Sequence, residues 1–519
     1  MNEGASHGSR TTDAGPSTDA ERQRLDNVRP SRWRNSEPAA RYHLVVIGAG
    51  TGGLVSAAIA VGLGARVALV ERHQMGGDCL NVGCVPSKAL IRSARAWHDA
   101  RTAADRFGGP AALGGGEFAA AMTRMRRLRA GLSRVDAASR FRDLGVDVFF
   151  GDASFAGDEA VTVAGADGPS VTLRFRRAIV ATGGRAAVPA IEGLSDAGYL
   201  TNETVFDLDA LPARLLVVGG GPIGCELAQA FARLGSAVTI LASSDRLLPR
   251  EDADASRVVG RALAADGVTV ILNARVASAR RSHAGRTLTY SVGGAQREVD
   301  GDAILVAAGR APNVERMGLA AAHVRHGPKG IDVDDRFRTS NRRIFAIGDC
   351  ASPYQFTHAA DAQARLAVPN ALFFGIGGGT ASSLVMPWCT FTSPEVAHTG
   401  MTAHEADEAG DTVETVTITF TEVDRAVLDG DEQGFLRVYL RRGSDRILGA
   451  TLVTDHAGEM ISELTAAIVN RIGLNALGRT IHPYPTQAES IRKAADAHRR
   501  ARLTPGVKRI FDLFFRATR

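Results

Sequence analysis

Residues 42–53 read YHLVVIGAGTGG and give the clearest indication of the fold. The apolar run at its start predicts a buried parallel strand, and the glycines after it predict a tight turn into an apolar helix that continues through Ala60. A second strand, Arg66–Val70, ends at Glu71. Strand, glycine turn, helix and strand in this order form a βαβ unit of the kind that binds a dinucleotide.

The three glycines of this turn have separate predicted roles. Gly48 permits the turn, Gly50 lets a pyrophosphate approach the backbone, and Gly53 lets the helix pack on the strand. The helix N-terminus then stabilises the phosphates. Glu71 lies 18 residues past Gly53, where a carboxylate binds a ribose 2′-OH. A glycine turn alone also fits a purely structural role, but the flanking strands and the acidic residue favour a nucleotide site.

A second unit of the same kind begins 171 residues later, with its glycines at Gly219, Gly221 and Gly224. The position 18 residues past Gly224 is Ala242, which has no carboxylate. Two hydroxyls and a cation follow it: Ser243, Ser244 and Arg246. These groups suit a 2′-phosphate, so the second site is predicted to bind NADP(H). A site with relaxed NAD(H)/NADP(H) preference is the alternative.

Composition and charge narrow the class of protein. The chain has 519 residues with 61 Lys+Arg and 56 Asp+Glu, a net charge of +5. Residues 491–519 alone hold nine cations and two acidic residues, which leaves a net −2 for the remainder. A general nucleic-acid surface is therefore not predicted.

The length predicts about three domains. Residues 1–40 are predicted to be disordered, and the start lacks an apolar signal segment, which predicts a cytoplasmic protein.

Residues 76–88 read GGDCLNVGCVPSK and carry the predicted redox chemistry. Pro86 and the apolar periodicity after it predict a helix that starts at Cys84, and a helix N-terminus lowers the pKa of a thiol. A pair such as Cys79 and Cys84 can cycle between dithiol and disulfide. Two buried structural thiols are the alternative. No second Cys/His pair has zinc-ligand spacing, so no metal site is predicted.

This motif, the two dinucleotide motifs and Gly348-Asp349 together resemble the flavin-dependent pyridine nucleotide–disulfide oxidoreductases over about residues 42–495. That family includes dihydrolipoamide dehydrogenase, glutathione reductase and mercuric reductase. The resemblance implies an α/β fold with two Rossmann-like domains, an FAD domain interrupted by an NAD(P)H domain, and a C-terminal α+β dimerisation domain. The expected segments are a disordered 1–40, an FAD domain of 41–195 and 325–385, an NADP(H) domain of 196–324, a dimerisation domain of 386–495, and a basic tail of 496–519.

The resemblance also implies residue roles. Cys84 would be the thiol against the flavin and Cys79 the interchange thiol that meets the substrate. Lys88 would pair with Glu226 near the flavin, which suits a buried lysine that needs a carboxylate partner. Glu71 would bind the FAD adenosine ribose. Asp349 would hold the ribityl chain. The turns that follow three strands of the dinucleotide domains supply the remaining cofactor-binding residues: Thr182, Gly183, Gly309, Gly348 and Asp349.

The chain departs from the resemblance at residues 481–489, IHPYPTQAE. Where dihydrolipoamide dehydrogenase and glutathione reductase have a catalytic histidine contributed by the partner subunit, one register places Tyr484, with Glu489 in its family position. The other register keeps His482 but lengthens the spacing to Glu489. A phenol of pKa about 10 is a poor base at neutral pH. Tyrosine here resembles mercuric reductase, yet the last cysteine is Cys389, so that family's C-terminal cysteine pair is missing. His482 either relays protons beside Tyr484 or caps a turn.

The predicted function is electron transfer from NADPH through FAD to the Cys79–Cys84 disulfide, and on to a disulfide or a thiol-bound soft metal such as Hg(II). One alternative is a quinone or other small-acceptor reductase. Another is a poorly active nucleotide-sensing protein docked to a membrane by its tail. In residues 504–519, Val507, Ile510, Phe511 and Phe514 share one helical face flanked by cations. This tail either lies on a membrane surface or docks on the protein body.

Overall fold

The structure is a computed structural model that describes residues 18–112, 116–165, 169–283 and 285–518. The described residues form two compact units. The first unit draws on Met1–Ala89, Ala120–Gly183 and Pro312–Gly378, and the second on Leu90–Ala119, Gly184–Ala311 and Gly379–Arg519. Each unit is therefore assembled from three separate stretches of sequence.

The first part of the chain contains six helices and six strands. Its helices are α1 (Asp19–Val28), α2 (Thr51–Gly62), α3 (Gly77–Asn81), α4 (Cys84–Phe107), α5 (Phe118–Leu132) and α6 (Ala138–Asp143), with a 3₁₀ turn at Ser133–Asp136. Its strands are β1 (Tyr42–Ile47), β2 (Val67–Glu71), β3 (Val146–Phe150), β4 (Asp152–Phe155), β5 (Ala160–Ala164) and β6 (Val171–Val180).

The middle part, up to residue 378, adds four helices and twelve strands. Its helices are α7 (Leu194–Ala197), α8 (Pro222–Leu234), α9 (Ala253–Ala265) and α10 (Thr357–Leu372). Its strands are β7 (Gly184–Ala186), β8 (Arg214–Val218), β9 (Ala237–Leu241), β10 (Thr269–Ile271), β11 (Arg275–Ser282), β12 (Gly285–Val292), β13 (Ala295–Gly301), β14 (Ala303–Val306), β15 (Arg310–Pro312), β16 (His326–Gly327), β17 (Gly330–Ile331) and β18 (Ile344–Ala346). Short 3₁₀ turns lie at Val205–Asp207 and Gly348–Cys350.

The last part contains the remaining six helices and five strands. Its strands are β19 (Pro387–Thr390), β20 (Glu395–Gly400), β21 (Val413–Thr419), β22 (Phe435–Arg441) and β23 (Ile447–Thr454). Its helices are α11 (Ala403–Glu408), α12 (Asp424–Asp429), α13 (Ala457–Val469), α14 (Leu474–Leu477), α15 (Glu489–Ala501) and α16 (Pro505–Ala517), with 3₁₀ turns at Ala381–Ser383 and Phe420–Glu422.

The first unit is built on a parallel sheet. Strands β3, β2, β1 and β6 lie side by side in that order, and β18 pairs in parallel with β6. The register aligns Ile47 with Val180 and Val180 with Ala346, so three strands end together at one edge of the sheet. Strand β2 is buried along its whole length, as an apolar run covered on both faces should be.

The second unit contains two larger sheets. Strands β10, β9, β8 and β14 form a parallel sheet, and β19, β20, β23, β22 and β21 form an antiparallel one. One face of the antiparallel sheet packs on α13 and α15 through a core that includes Leu452, Leu464 and Ile491. The prediction of a mixed α/β chain with an α+β part after about Trp388 agrees with these sheets.

The prediction that residues 1–40 are disordered is wrong for residues 18–40, and residues 1–17 lie outside the described part. Helix α1 begins after a cap in which the Thr18 hydroxyl accepts from the Glu21 N–H at 3.2 Å. Val28 at its end is fully buried, and Arg24 is 6% exposed. Buried charged contacts hold this helix, so its low apolar content did not reveal it.

The predicted C-terminal helix is confirmed as α16. Within the residues that the structure describes, no helix combines the length and apolarity that crossing a membrane requires.

Candidate active site

The first glycine turn lies where three parallel strands end. The turn after β1, the Ala181–Gly183 turn after β6 and the Gly348–Cys350 turn after β18 are neighbours, because the register pairs the last residues of these strands. A Cβ on Gly48, whose φ is +100°, would lie 2.4 Å from the Ala181 carbonyl oxygen. Ligands of open parallel sheets bind at such carboxyl ends, in the crevice between neighbouring turns.

The backbone in front of α2 forms a cradle that side chains would fill. Gly50 is the N-cap of α2 and supplies no side chain to the helix N–H groups. Across from it, a Cβ on Gly77 would lie 2.7 Å from the Gly50 Cα. A Cβ on Gly53 would lie 1.8 Å from the Gly48 carbonyl oxygen. These residues therefore fit a dinucleotide pyrophosphate at the helix N-terminus, as predicted from the motif.

Glu71 ends β2 beside this cradle. Its carboxylate accepts hydrogen bonds from the Ala49 N–H and the His73 N–H, both at 2.7 Å. Burial raises the pKa of this carboxyl, and the two backbone N–H groups act in the opposite direction. The contact with Ala49 ties the acidic residue to the glycine turn, which suits a carboxylate that binds a ribose.

The turns after β6 and β18 are fixed by side chains. The Thr182 hydroxyl donates to the Asn313 carbonyl oxygen at 2.7 Å, and the Asn313 side chain returns a bond to the Thr182 carbonyl oxygen at 3.0 Å. The Gly348 N–H donates to the Gln363 side chain of α10 at 2.8 Å. Gly183, with φ of +68°, and Asp349 lie on these two turns.

Cys79 and Cys84 lie on consecutive helical segments of the first unit. Cys79 is in the short helix α3, and Cys84 is the first residue of α4, as predicted. Both are free thiols; Cys79 is partly buried and Cys84 is exposed. The Cys84 Sγ lies 3.4 Å from the Thr357 hydroxyl at the start of α10. Helix α10 also follows the Gly348–Cys350 turn, so this contact brings the thiol to the cofactor turns.

The two thiols are electrostatically unequal. A hydrogen bond with Cys84 raises the pKa of the Cys79 thiol well above its usual range, and burial and the charge of Cys84 add to this effect. Cys79 is therefore the harder thiol of the pair to deprotonate, and Cys84 lies at the N-terminus of the long helix α4, where a helix dipole stabilises negative charge. The flavin-side role of Cys84 and the interchange role of Cys79 stay predictions.

The second glycine turn has the same construction in the second unit. A Cβ on Gly219 would lie 2.3 Å from the Ala307 carbonyl oxygen, and a Cβ on Gly224 2.1 Å from the Gly219 carbonyl oxygen. Gly221 caps α8 without a side chain, and a Cβ there would meet nothing within 4 Å. Gly309 follows β14, which pairs in parallel with β8. The space in front of α8 fits the phosphates of a second dinucleotide.

The residues after β9 agree with a phosphate-binding loop. Ala242 is buried and Ser243 is exposed. The Arg246 guanidinium donates to the Pro249 carbonyl oxygen at 3.1 Å and lies 3.8 Å from Asp245, with 41% of its side chain exposed. The Ser244 carbonyl oxygen accepts from the Asn273 N–H at 2.9 Å. The loop is thus held by its backbone, and the serine hydroxyls are not needed for its shape.

Lys88 and Glu226 belong to different units. Lys88 lies in the first turns of α4, and Glu226 lies in α8, where it is 6% exposed. The Glu226 carboxylate accepts from the Phe391 N–H at 2.9 Å. The expected Lys88–Glu226 pair stays a prediction.

Tyr484 and His482 have different partners. The Tyr484 hydroxyl donates to the Asp424 carboxylate at 2.9 Å, and this hydrogen bond raises the pKa of the exposed phenol. The His482 ring lies 3.1 Å from the Glu463 carboxylate of α13, with 5% of its side chain exposed. His482 therefore contacts Glu463 in this structure, and its role as a proton relay or a turn cap stays a prediction. Glu489 is buried at the start of α15 and pairs with Arg492.

Sequence reasoning missed several residues around these sites. Thr357 contacts Cys84, Asp424 holds Tyr484, and Asp136 raises the pKa of Cys79. Each of the three is distant in sequence from its partner, so spacing along the chain does not pair them. Only a folded chain brings them together.

Two dinucleotide turns, each at the carboxyl ends of a parallel sheet, and a thiol pair on consecutive helices define a class of redox enzymes that bind two dinucleotides. The sequence matches the pyridine nucleotide–disulphide oxidoreductase family over residues 42–364 and the dimerisation domain of that family over residues 386–495. The chain belongs to this family. It is a flavoprotein oxidoreductase that uses FAD and a nicotinamide dinucleotide, and its dimerisation domain makes it a homodimer.

Curated relatives include mercuric reductases and a dihydrolipoyl dehydrogenase. The chain is 36% identical over 465 residues to a mercuric reductase of Streptomyces lividans, covering 88% of this chain and 95% of the relative. It is 31% identical over 481 residues to a dihydrolipoyl dehydrogenase of Bacillus subtilis, covering 88% and 98%.

Solved structures agree with the fold. The chain is similar to LpdA from Mycobacterium tuberculosis, with a TM-score of 0.79 at 29% identity, covering 88% of this chain and 99% of that one. It is also similar to the HOCl-induced flavoprotein disulfide reductase RclA from Escherichia coli in its Cu(II) complex, with a TM-score of 0.78 at 27% identity, covering 88% and 100%.

Proposed function

We propose that this protein transfers two electrons from NADPH to the Cys79–Cys84 disulfide, and from the dithiol to a disulfide or a thiol-bound soft metal such as Hg(II). The observation that carries the proposal is the unequal thiol pair: Cys84 starts α4 beside Thr357, and Cys79 is held protonated next to it. Bound FAD supplies the route for the electron pair between the nicotinamide and the disulfide.

The two half-reactions balance. NADPH and a proton reduce the disulfide: the sulfur–sulfur bond breaks, NADP⁺ leaves and two thiols form. Hg(II) then binds both sulfurs with loss of two protons, takes two electrons and leaves as Hg(0), and the disulfide reforms. With a disulfide acceptor, two exchange steps through Cys79 release two thiols instead.

Two features support a soft metal as the electron acceptor: the thiolate ligands and the weak basicity of Tyr484. Thiolates are preferred ligands of soft metals, and a relative named mercuric reductase covers most of the chain. The Tyr484 phenol, held protonated by Asp424, is a poor base for thiol exchange at neutral pH. A thiol-bound metal therefore suits this site better than dihydrolipoamide or glutathione disulfide.

The first experiment is anaerobic titration of the purified protein with NADPH, followed by visible absorbance. A new long-wavelength band after two electrons would indicate a Cys84 thiolate beside oxidised flavin. Flavin bleaching without this band would contradict the proposed mechanism, even with the family correct. Turnover with Hg(II), small disulfides and quinones is then compared.

Quinone reduction directly at the flavin is the alternative within the same class. The variant Cys79→Ser separates the two, because it removes the interchange thiol and keeps Cys84. Loss of metal and disulfide reduction supports the proposal, whereas undiminished turnover of a quinone as the preferred acceptor supports the alternative. Cys389→Ser, a partly buried thiol on β19, is the matched control. Negligible NADPH oxidation with every acceptor would instead favour a nucleotide-sensing protein.

We also propose that the second dinucleotide is NADPH and not NADH. The support is chemical: Ala242 leaves out the carboxylate that would repel a 2′-phosphate, and Arg246 places a partly exposed cation on the same loop. Arg246→Ala should raise the KM for NADPH about tenfold and leave the KM for NADH unchanged. Equal effects on both nucleotides would contradict this preference.

A peripheral contact of α16 with anionic lipid is proposed as a second activity of the chain. Its apolar residues cover one side of the helix and are largely exposed: Ile510 66%, Phe511 48%, Leu513 66%, Phe514 58% and Phe515 60%. The opposite side holds three cations and one carboxylate: Lys508, Arg509, Arg516 and Asp512. This combination is typical of helices that lie in the lipid interface. The predicted cytoplasmic location stays a prediction.

Co-sedimentation with phosphatidylserine-containing vesicles tests this contact. Phe514→Glu should abolish binding, and Leu63→Glu, which changes an exposed leucine at the end of α2, should not. Binding that survives Phe514→Glu, or that is equal on neutral vesicles, would contradict the contact. If Phe514→Glu changes the mass of the oligomer, a second copy of the chain covers this face instead.

A further inference from the structure

Helix α1 precedes the matched family region, which begins at residue 42, yet it contributes buried charge to the first unit. The Arg24 side chain is 7% exposed, and the Arg129 side chain of α5 is 3% exposed. Both pair with Glu21 of α1. Burial raises the pKa of Glu21, but the two guanidinium groups outweigh burial and bring this pKa below its usual value. Buried charges of this kind are retained only where their partners are fixed.

Both arginines donate hydrogen bonds to one residue, Asn81, of the redox segment, which is residues 76–88. Arg24 donates through Nη1 to the Asn81 side-chain oxygen, and Arg129 donates to the Asn81 carbonyl oxygen at 2.8 Å. The same Arg24 nitrogen also donates to the Gln74 side chain. Asn81 is the last residue of α3 and lies two positions after Cys79.

Asn81 closes the segment that carries Cys79. Its side-chain nitrogen donates to the Met75 and Gly77 carbonyl oxygens, both at 3.0 Å, so it joins the end of α3 to the turn that begins it. Helix α3 has only five residues, which is too short to be stable by its own hydrogen bonds. The geometry of Cys79 therefore depends on what holds Asn81.

Helix α1 also contacts the residue before the Gly76 turn and the 3₁₀ turn that begins at Ser133. The Met75 N–H donates to the Val28 carbonyl oxygen at 3.0 Å, and the Asn27 side chain donates to the Ser133 hydroxyl at 2.9 Å. Ser133 begins the 3₁₀ turn that ends at Asp136, and Asp136 is one of the groups that raise the pKa of Cys79. The carboxylate of Asp136 would lie 2.9 Å from a Cβ on Gly76, the residue before α3.

We propose that α1 is a clamp on the redox segment, in which Arg24, acting with Arg129 through Asn81, is a positioning residue that sets the reactivity of the Cys79 thiol. This inference rests on the proposed role of Cys79 and Cys84. The clamp holds α3 against the start of α4, which keeps Cys79 protonated and hydrogen-bonded to Cys84. Loss of the clamp lets α3 open locally and exposes Cys79.

The test compares Arg24→Ala with Arg22→Ala. Arg22 lies on the same helix and carries the same charge, but its ion pair with Asp19 is on the surface, with side-chain exposures of 55% and 95%. Each holoenzyme is reduced with NADPH, and the alkylation rate of Cys79 by iodoacetamide is measured against pH by peptide mass spectrometry. The long-wavelength absorbance per bound flavin is recorded in the same samples.

Arg24→Ala should accelerate Cys79 alkylation about tenfold, shift its pH profile to lower pH and weaken the absorbance band, because a hydrogen bond from a buried charged donor is lost. Arg22→Ala should match the wild type, and Arg24→Lys should recover part of the effect. Equal alkylation rates and bands for Arg24→Ala and the wild type would overturn the clamp, whether or not stability or flavin content falls. A wild type without the band would instead contradict the proposed function.

Discussion

Glu251 is the carboxyl group with the clearest consequence for the pH dependence of stability. It is 7% exposed, and its carboxylate accepts from the Trp388 indole N–H at 2.6 Å. Burial raises its pKa from 4.5 to about 7, against the hydrogen bond from Trp388. The folded protein therefore holds a proton that the unfolded chain releases between pH 4.5 and 7, so this residue's contribution to stability falls as the pH rises through that window.

Glu251→Gln should abolish this fall in stability with rising pH. The amide keeps an acceptor for Trp388 and carries no charge, so the variant should be more stable than the wild type by about 3 kcal/mol at pH 8 and about equal at pH 4.5. Chemical denaturation at both pH values measures the difference. Glu298→Gln, at an exposed pair with Arg280, is the control and should show no such change. A difference independent of pH would contradict the assignment.

His398 also changes stability with pH, so the effect of Glu251 must be measured as the difference between Glu251→Gln and the wild type. It stacks on Trp388 with ring centroids 4.4 Å apart, and burial lowers its pKa from 6.5 to about 4. The unfolded chain therefore binds the extra proton between these values, and this histidine's contribution to stability rises with pH. The two groups act in opposite directions, so only the difference between Glu251→Gln and the wild type isolates the carboxyl.

Tyr484 gives a prediction about acceptor choice. Asp424 raises the pKa of the Tyr484 phenol. Tyr484→His puts an imidazole with a pKa of about 6.5 in its place, so the reduction of small disulfides should increase about tenfold. The new activity should appear as the pH rises through that value, because the neutral imidazole is the base. Turnover of disulfides with NADPH measures it. Tyr484→Phe, which removes only the hydroxyl, should give no increase, and an equal gain there would exclude base catalysis.

At the scale of elements, the turn between β1 and α2, which is predicted to bind FAD, has the closest glycine packing of the two dinucleotide turns. Gly53→Ala would place a Cβ 1.8 Å from the Gly48 carbonyl oxygen, so strand and helix must separate. We expect a loss of about 3 kcal/mol and of bound flavin. Thermal unfolding and flavin content measure these losses.

Gly62→Ala is the control on the same helix. A Cβ there meets nothing within 4 Å, so the change should be neutral or stabilise α2 by about 0.5 kcal/mol. Equal loss of flavin in both variants would mean that α2 as a whole, and not its glycine turn, limits binding.

At the scale of the whole molecule, the homodimer provides a complementation test. The family resemblance implies that Tyr484 of one subunit completes the site that contains Cys79 of the other. Cys79→Ser and a Tyr484 variant that is inactive alone should then regain about a quarter of wild-type activity when unfolded and refolded together, because half of the dimers have one intact site. Steady-state turnover of the mixture measures this. A mixture no more active than its components would place both residues in the same subunit's site.

Most of the fold was predictable because its determinants are local. The glycine turns at Gly48 and Gly219, the helix start at Cys84 and the helix in the tail depend on backbone conformation and periodicity within a few residues. The predicted disorder of residues 18–40 was wrong because α1 is held by the contact of Arg24 with Asn81 and by the burial of Val28, and composition does not reveal such contacts.

Residue type and short spacing are enough to predict two dinucleotide turns, a Cys79–Cys84 pair with a helix at the second thiol, and a tyrosine in place of a basic histidine. Folding determines which thiol has the higher pKa, which carboxylates contact Tyr484 and His482, and that Arg24 of α1 contacts Asn81. The reason is physical, because a pKa and the rigidity of a short helix depend on burial and on partners that folding brings from distant parts of the chain.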